Sequence, residues 1–386
     1  MASRLTTSRN DHHHGLPIHR GAGRDPRPRR PHPRRPFRPR DPPRDRNLRR
    51  GPFRPALWRA LAEAGLLGIG LPDTLGGAGM GLLEAACVVE MAARHAAAVP
   101  VWETVGLACP VLVDAHLGDG DGASEAGSGS LESRRATPSS PPPGTRWSAI
   151  PSTPMSRRPC PPRATCTIDG TKVCVPAGAI AAAAVVPCRS TTGEVLLALV
   201  DLRSEGVTRT NQQTTAGSPD AVLEFASATG VVVGRGAASL QRAFDQGAAT
   251  LCAAALGTAA AALDITAEYT KERKQFDVPI ASFQAVGHRA ADTFIDVQSI
   301  RLTAWHALWR LANGEQATDE VAIAKYWSAH SGHRVSLASA HLHGGVGVDR
   351  DYPLHRHFIA AKQHELQLGG ARPSLLRLGR SIAANT

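Results

Sequence analysis

Apolar positions along this chain follow three successive periods. Over 55–112 they recur every three to four residues, as on one face of a helix. Leu57, Leu61, Leu66 and Leu67 mark one such face. Leu82, Leu83, Ala86, Val89 and Met91 mark the inward face of a second helix over 81–95, beyond a glycine-rich loop. Over 166–235 the apolar runs shorten and become β-prone, separated by turn pairs such as Asp169-Gly170, which predicts an all-β segment. From about Ala237 the helical period returns. One long alanine-rich helix ends near Arg273, and three more cover 281–312, 318–342 and 355–384. Four long helices with short links predict a bundle. The fold class is therefore α+β and multidomain: an N-terminal helical domain, a small and truncated β-barrel in the middle, and a C-terminal four-helix bundle.

Two stretches carry no such pattern. Residues 1–54 form an Arg/Pro/His-rich leader, and 118–165 are rich in Gly, Ser and Pro. Dense proline blocks helices and sheet ladders, and little apolar surface is present to offset ordering entropy. Both are expected to be unstructured, which sets the domains at 55–117, 166–235 and 236–386. An unpatterned insert inside an enzyme is unusual, and both stretches begin abruptly. A frameshift in a GC-rich gene would produce this, and resequencing the locus tests it. A β domain without its first strands would expose an unpaired sheet edge.

Composition narrows the possibilities. The 386 residues are 42% hydrophobic, enough for more than one core. No apolar run reaches the roughly 18 residues of a membrane span, and the first 30 residues lack the apolar core of a secretory signal. A cytoplasmic location is expected. The seven cysteines are scattered without a CxxC pair, and the 16 histidines include no HExxH. Reduced, mostly buried thiols and no metal centre are expected. The net charge of +11 suggests nucleic acid until it is located. Residues 1–60 hold 17 arginines and four aspartates, whereas the remainder has 27 basic and 29 acidic residues. The charge belongs to the leader. Such an arm can bind phosphate nonspecifically, but it does not make nucleic acid the expected partner of the folded body.

Two motifs carry chemistry. In HLHGGVGVDRDYP (341–353), Gly344, Gly345 and Gly347 interrupt helical sequence. Glycine costs about 1 kcal/mol relative to alanine in a helix, so this break marks a sharp turn or a close approach of backbone to a ligand. In YTKERKQFDVPIASFQAVGHRAAD (269–292), Arg273 ends one helix, Pro279 breaks the chain and Gln284 opens the next helix. Arginine and glutamine at such a corner can present donors to a pyrophosphate, and Phe276 can cover an aromatic ring. A surface arginine capping a helix C-terminus fits the same spacing.

The helical start, β middle and helical end, together with ERKQFDVPIASFQAVGHRAAD and HLHGGVGVDRDYPLHR, resemble the acyl-CoA dehydrogenase family over about 55–114 and 166–384. The resemblance implies FAD, contacted by Arg273, Gln275, Phe276 and Gln284. His341, Gly344, Gly345 and Gly347 would contact the FAD of a neighbouring subunit. His341 stands where glutamine is common, and a neutral imidazole still donates one hydrogen bond. The implied reaction is α,β-dehydrogenation of an acyl-CoA thioester, in which a carboxylate removes the α-proton. The family's base falls at Leu368 in KQHELQLGGAR, and a second family location falls at or near Gly247. Neither residue can take a proton. Glu365 and Asp245 lie close, but each reads first as an ordinary solvated carboxylate, and neither is assigned as the base, with Glu365 the candidate of the two.

The stretch HGGVGVDRDYPLHR followed by KQHELQLGGA resembles a subset of the family built from two unlike subunits, one lacking the base. Its studied members act on steroid side-chain CoA thioesters. This implies a second acyl-CoA dehydrogenase subunit as partner, in a homo- or hetero-oligomer, and electron-transfer flavoprotein or a similar acceptor. The family's Thr/Ser motif against the isoalloxazine should fall within 118–165 and is missing there, so weak FAD retention is expected. Two other readings stay open: an enzyme working alone with Glu365 as a displaced base, and an inactive scaffold or damaged paralogue of the same fold.

Overall fold

The computed structural model describes residues 53–118, 130–132, 149–151 and 164–384. The N-terminal part holds α1 (Pro55–Glu63), α2 (Leu82–Arg94) and α3 (Cys109–Gly118), the last continuing a π-helical segment, Trp102–Ala108. Pro55 starts α1, where its missing N–H costs nothing. The helix stops at Glu63, before Gly65 at φ 73°. The expected face is therefore interrupted. Trp58 and Leu67 are buried, while Leu57, Leu61 and Leu66 are half-buried. On α2 the buried stripe is Ala85, Ala86 and Val89. Met91, expected inward, is 53% exposed. It lies two residues beyond Val89, about 200° around the helix and on the opposite face.

The middle part is one sheet. It comprises β1 (Ser130–Glu132), β2 (Ala149–Pro151), β3 (Thr165–Val175), β4 (Ala181–Arg189), β5 (Val195–Asp201), β6 (Val207–Asn211) and β7 (Ala221–Arg235). The strand order is β1-β3-β7-β5-β4-β2, with β6 on β7. Alternating burial along β7 puts Ala221, Leu223, Phe225 and Ala228 into a core with Ile168, Ala198 and Val200. Strands β1 and β2 come from the stretch expected to be unpatterned. They pair with β3 and β4 and form the two ends of the strand order. The remainder of 118–165 and residues 1–52 lie outside the described residues.

The C-terminal part begins with α4 (Gly236–Glu272), followed by a hairpin of β8 (Lys274–Gln275) and β9 (Val278–Pro279). Then come α5 (Gln284–Ala312), α6 (Thr318–His343), α7 (Leu354–Leu366) and α8 (Ala371–Ala384). The helix expected over 355–384 is thus two. Leu368 and Gly369 adopt φ 55° and 97°, which no α-helix accommodates, and they break it. Helices α4, α5 and α6 pack on one another, with α7 and α8 against α6. Alanine lets α4 pack closely. Where α2 crosses it, a Cβ on Gly257 would collide with the carbonyl of Glu90. By length and composition α4 could cross a membrane, contrary to the reading of the sequence. Its most apolar window is 83% buried inside the fold, which marks it as a core helix.

Candidate functional site

Helix α4 ends where Arg273 turns extended (φ −69°, ψ 121°). The chain then makes a two-residue hairpin turn with Phe276 at φ 54° and Asp277 at φ 66°. Both central residues are left-handed, as in tight hairpin turns, and a bulky aromatic is costly there. Phe276 is nevertheless held 88% exposed, edge-on to Phe283 at 6.2 Å. Ile280 N–H donates to the Arg273 carbonyl at 2.8 Å and closes the corner. Arg273 is half-buried, and Gln275 and Gln284 are exposed. The four residues expected at the cofactor therefore lie along one short corner of chain, where Gln275 Nε2 donates to the Lys274 carbonyl at 2.9 Å.

The glycine motif ends α6. Gly344 has φ 62° and ψ −141°, a conformation reserved for glycine. Gly347 is buried, and a Cβ there would lie 2.7 Å from the Ala340 carbonyl oxygen. A Cβ on Gly344 or Gly345 would meet nothing within 4 Å. Gly347 thus fastens the turn to α6, whereas Gly344 and Gly345 form an open backbone face. His341, in the last turn of α6, is exposed. These features fit a flat, polar cofactor approaching the turn closely.

An aromatic stack joins the two motifs. Tyr269, one turn before Arg273, stacks on His343 at 4.2 Å and donates its hydroxyl to the His343 carbonyl at 3.3 Å. Tyr352 packs 5.3 Å from the His343 ring. His343 Nδ1 lies 2.8 Å from the Ser339 carbonyl and must carry the proton there. Burial pushes its pKa down, which keeps it neutral. Sequence reasoning missed this stack. The available signal was that two of only three tyrosines flank the two motifs.

Neither of the two positions expected for the base holds an acid. Leu368 is 2% exposed in the α7–α8 turn. Gly247 is buried on α4, where a Cβ would collide with Leu107 Cδ1. Glu365 accepts from Lys362 Nζ at 2.6 Å and faces His333 Nδ1 at 3.2 Å, so its carboxylate is engaged on the α6 side. Asp245 is buried, accepting from Gln241 Nε2 at 2.9 Å and Thr318 Oγ1 at 2.8 Å. Burial raises its pKa, opposed by those bonds. It braces α4 against the start of α6.

Two further groups were not anticipated. Lys325 is fully buried on α6, and its Nζ donates to the carbonyls of His364 (3.0 Å) and Glu365 (3.2 Å) at the end of α7. Burial lowers its pKa to about 8. Its signal was a lone lysine among small and apolar residues in VAIAKYWSA. On the π-helical segment, burial, with Asp220 adding to it, raises Glu103 to about 7.

Comparison with known proteins gives the same reading. The model of the acyl-CoA dehydrogenase C-terminal domain matches residues 234–377, and that of the N-terminal domain matches 37–116. Acyl-CoA dehydrogenase FadE27 of Mycobacterium tuberculosis is 38% identical over 350 residues, covering 85% of this chain and 88% of that protein. FadE28 of the same organism is 30% identical over 334 residues, covering 82% and 92%. Among solved structures, the ChsE4-ChsE5 complex from Mycobacterium tuberculosis includes a chain 34% identical, with TM-score 0.71, covering 87% of this chain and 90% of that one. A variant of the steroid ACAD Tcur3481-Tcur3483 includes one 32% identical, with TM-score 0.69, covering 86% and 90%. Two domain models that together span more than half of the sequence, on a fold that joins both motifs through Tyr269 and His343, establish that this chain belongs to the acyl-CoA dehydrogenase family.

Proposed function

We propose that the chain is the base-deficient subunit of a two-subunit, FAD-dependent acyl-CoA dehydrogenase. The observation that carries this is Leu368, buried and apolar at the expected base position, in a chain that also has an exposed Phe276 and an open backbone at Gly344. Arg273, Gln275, Phe276 and Gln284 would hold FAD on one side. His341, Gly344, Gly345 and Gly347 would reach the FAD of the adjacent subunit. FAD, when bound, supplies the hydride acceptor. Arg273 would balance pyrophosphate charge with its planar guanidinium, and the bare backbone at Gly344 and Gly345 would let the cofactor approach without steric cost. The partner, a second acyl-CoA dehydrogenase subunit, would contribute the glutamate that removes the α-proton.

The substrate class follows the relatives' printed names, which include a steroid ACAD and a ChsE4-ChsE5 complex. A CoA thioester of a steroid side chain is accordingly proposed, with electron-transfer flavoprotein or a similar acceptor and a cytoplasmic location. A β-barrel middle domain and a four-helix bundle would frame the site, as in the family.

Expression with and without the neighbouring acyl-CoA dehydrogenase gene, followed by flavin absorbance and acyl-CoA oxidation, tests the reading. Activity is expected only for the pair, and Glu365→Gln is expected to leave it within about twofold, less than 0.5 kcal/mol of barrier. Turnover by the isolated chain, abolished in Glu365→Gln, would favour a displaced base instead. Neither flavin nor turnover with any partner would favour an inactive scaffold.

A further inference from the structure

We infer that Tyr269 is a positioning residue for the flavin: it fixes the Gly344 turn to the Arg273 corner, so that both meet the cofactor in one set arrangement. The inference rests on the FAD reading and adds the residue that sets the geometry of that site. Tyr269 touches the two motifs through different atoms. Its carbonyl accepts the Arg273 N–H at 2.8 Å, which completes the last turn of α4. Its hydroxyl donates to the His343 carbonyl at 3.3 Å, and its ring stacks on the His343 imidazole at 4.2 Å, 22° from parallel. Both side chains are buried, so they act on a cofactor through the backbone they hold.

The clamp acts where the backbone has least support. A helix end leaves carbonyls unpaired, and His343 is the last residue of α6. Its carbonyl belongs to the peptide bond that leads into Gly344, where the chain turns to φ 62° and ψ −141°. Holding that carbonyl fixes the peptide plane from which the bare Gly344–Gly345 face starts. The imidazole is itself held by Tyr269 on one face, by Tyr352 at 5.3 Å and by the Ser339 carbonyl 2.8 Å from Nδ1. Tyr352 also meets Tyr269 edge-on at 6.5 Å, which closes the cluster. Towards the corner, Ile280 N–H ties the hairpin to Arg273, the residue that Tyr269 holds by its main chain. A contact gains affinity when the element carrying it is already in place before the ligand arrives. Glycines have no side chains to anchor such a face, and Tyr269 supplies the anchor from α4.

Titration of FAD into the apo form of the co-expressed pair, followed by flavin fluorescence, tests this. Tyr269→Leu removes both the ring stack and the hydroxyl. It is expected to keep a cooperative melt and to weaken FAD binding roughly tenfold or more. Tyr269→Phe keeps the stack and loses one hydrogen bond, and is expected to weaken binding about threefold. A positioning role shows as non-additivity with the turn itself. In a Gly345→Ala background the methyl group already bars the cofactor from the turn, so fixing the turn gains nothing. There each Tyr269 variant is expected to cost less than about twofold further. Tyr269→Leu that binds FAD within about threefold of wild type, or losses that multiply in the double variant, overturns the inference. If Tyr269→Leu does not fold, the same comparison with Tyr269→Phe decides. A wild-type pair that binds no FAD sinks instead the reading on which the inference rests.

Discussion

Phe276 sits in a left-handed backbone conformation that glycine would adopt freely, and it is almost wholly exposed. Among the described residues its ring contact is the edge-on approach of Phe283, and the strain is of order 1 kcal/mol for an L-residue. Phe276→Gly is therefore expected to stabilise the chain by about 0.5–1 kcal/mol in chemical denaturation. The same variant is expected to lower flavin content after gel filtration. A stabilised variant that keeps its flavin would separate the strain from the cofactor. The two glycines of the second motif divide in the same way. Gly347→Ala forces a methyl group against the Ala340 carbonyl and should cost about 2 kcal/mol. Gly345→Ala enters open space and should change stability by less than about 0.5 kcal/mol. Its effect should appear only as lost flavin, measured by absorbance per subunit.

At the scale of elements, the α7–α8 break depends on Lys325. The end of a helix leaves carbonyls unpaired, and a cation there also opposes the helix dipole. Lys325 supplies both from the bundle interior, through bonds to His364 and Glu365. Its pKa of about 8 lies below the 10.5 of an ordinary lysine. Between those values the unfolded chain binds the extra proton, so this group makes stability rise with pH from about 8 to 10.5. Lys325→Met should abolish that rise in urea titrations across the window. A wild-type chain without the rise would mean the ammonium is better solvated than its burial implies. Element periods were legible in the sequence because α2, α4 and α6 each repeat apolar residues over several turns. The α7–α8 break was not, because Gly369-Gly370 within an otherwise helical pattern reads as a weak spot. The left-handed Leu368 that completes it is fixed by packing.

Across the whole molecule, buried histidines set the acid limit. Burial lowers His357 and His364 to about 4, with Arg356 and His95 acting on the first and Lys325 on the second. Both values lie below the ordinary 6.5, so stability falls as pH drops from about 6.5 towards 4. Glu103 works in the opposite sense. Raised from 4.5 to about 7, it loses stability as pH rises through that interval. His343 acts in the same sense as the two histidines and Asp245 in the same sense as Glu103, and the large shifts of His357 and His364 carry the acid destabilisation. His357→Gln with His364→Gln should flatten the pH dependence of the melting temperature over 4–6.5, and an unchanged slope would reject the assignment.

By itself the sequence determined the order of helical, β and helical segments, the Arg273–Gln284 corner, the glycine turn and the absence of a carboxylate at Leu368. Each is local: a period, a turn-forming residue or a residue type at a motif position is fixed by the neighbouring chain. Only the tertiary structure decided that β1 and β2 pair with β3 and β4, that Tyr269 and His343 hold the two motifs at one end of α4 and α6, and that Glu365 faces His333. It also decided that Leu107 occupies the space Gly247 leaves. These contacts join residues tens to more than a hundred positions apart. Such pairings depend on which surfaces close on one another, and no periodicity along the chain encodes that.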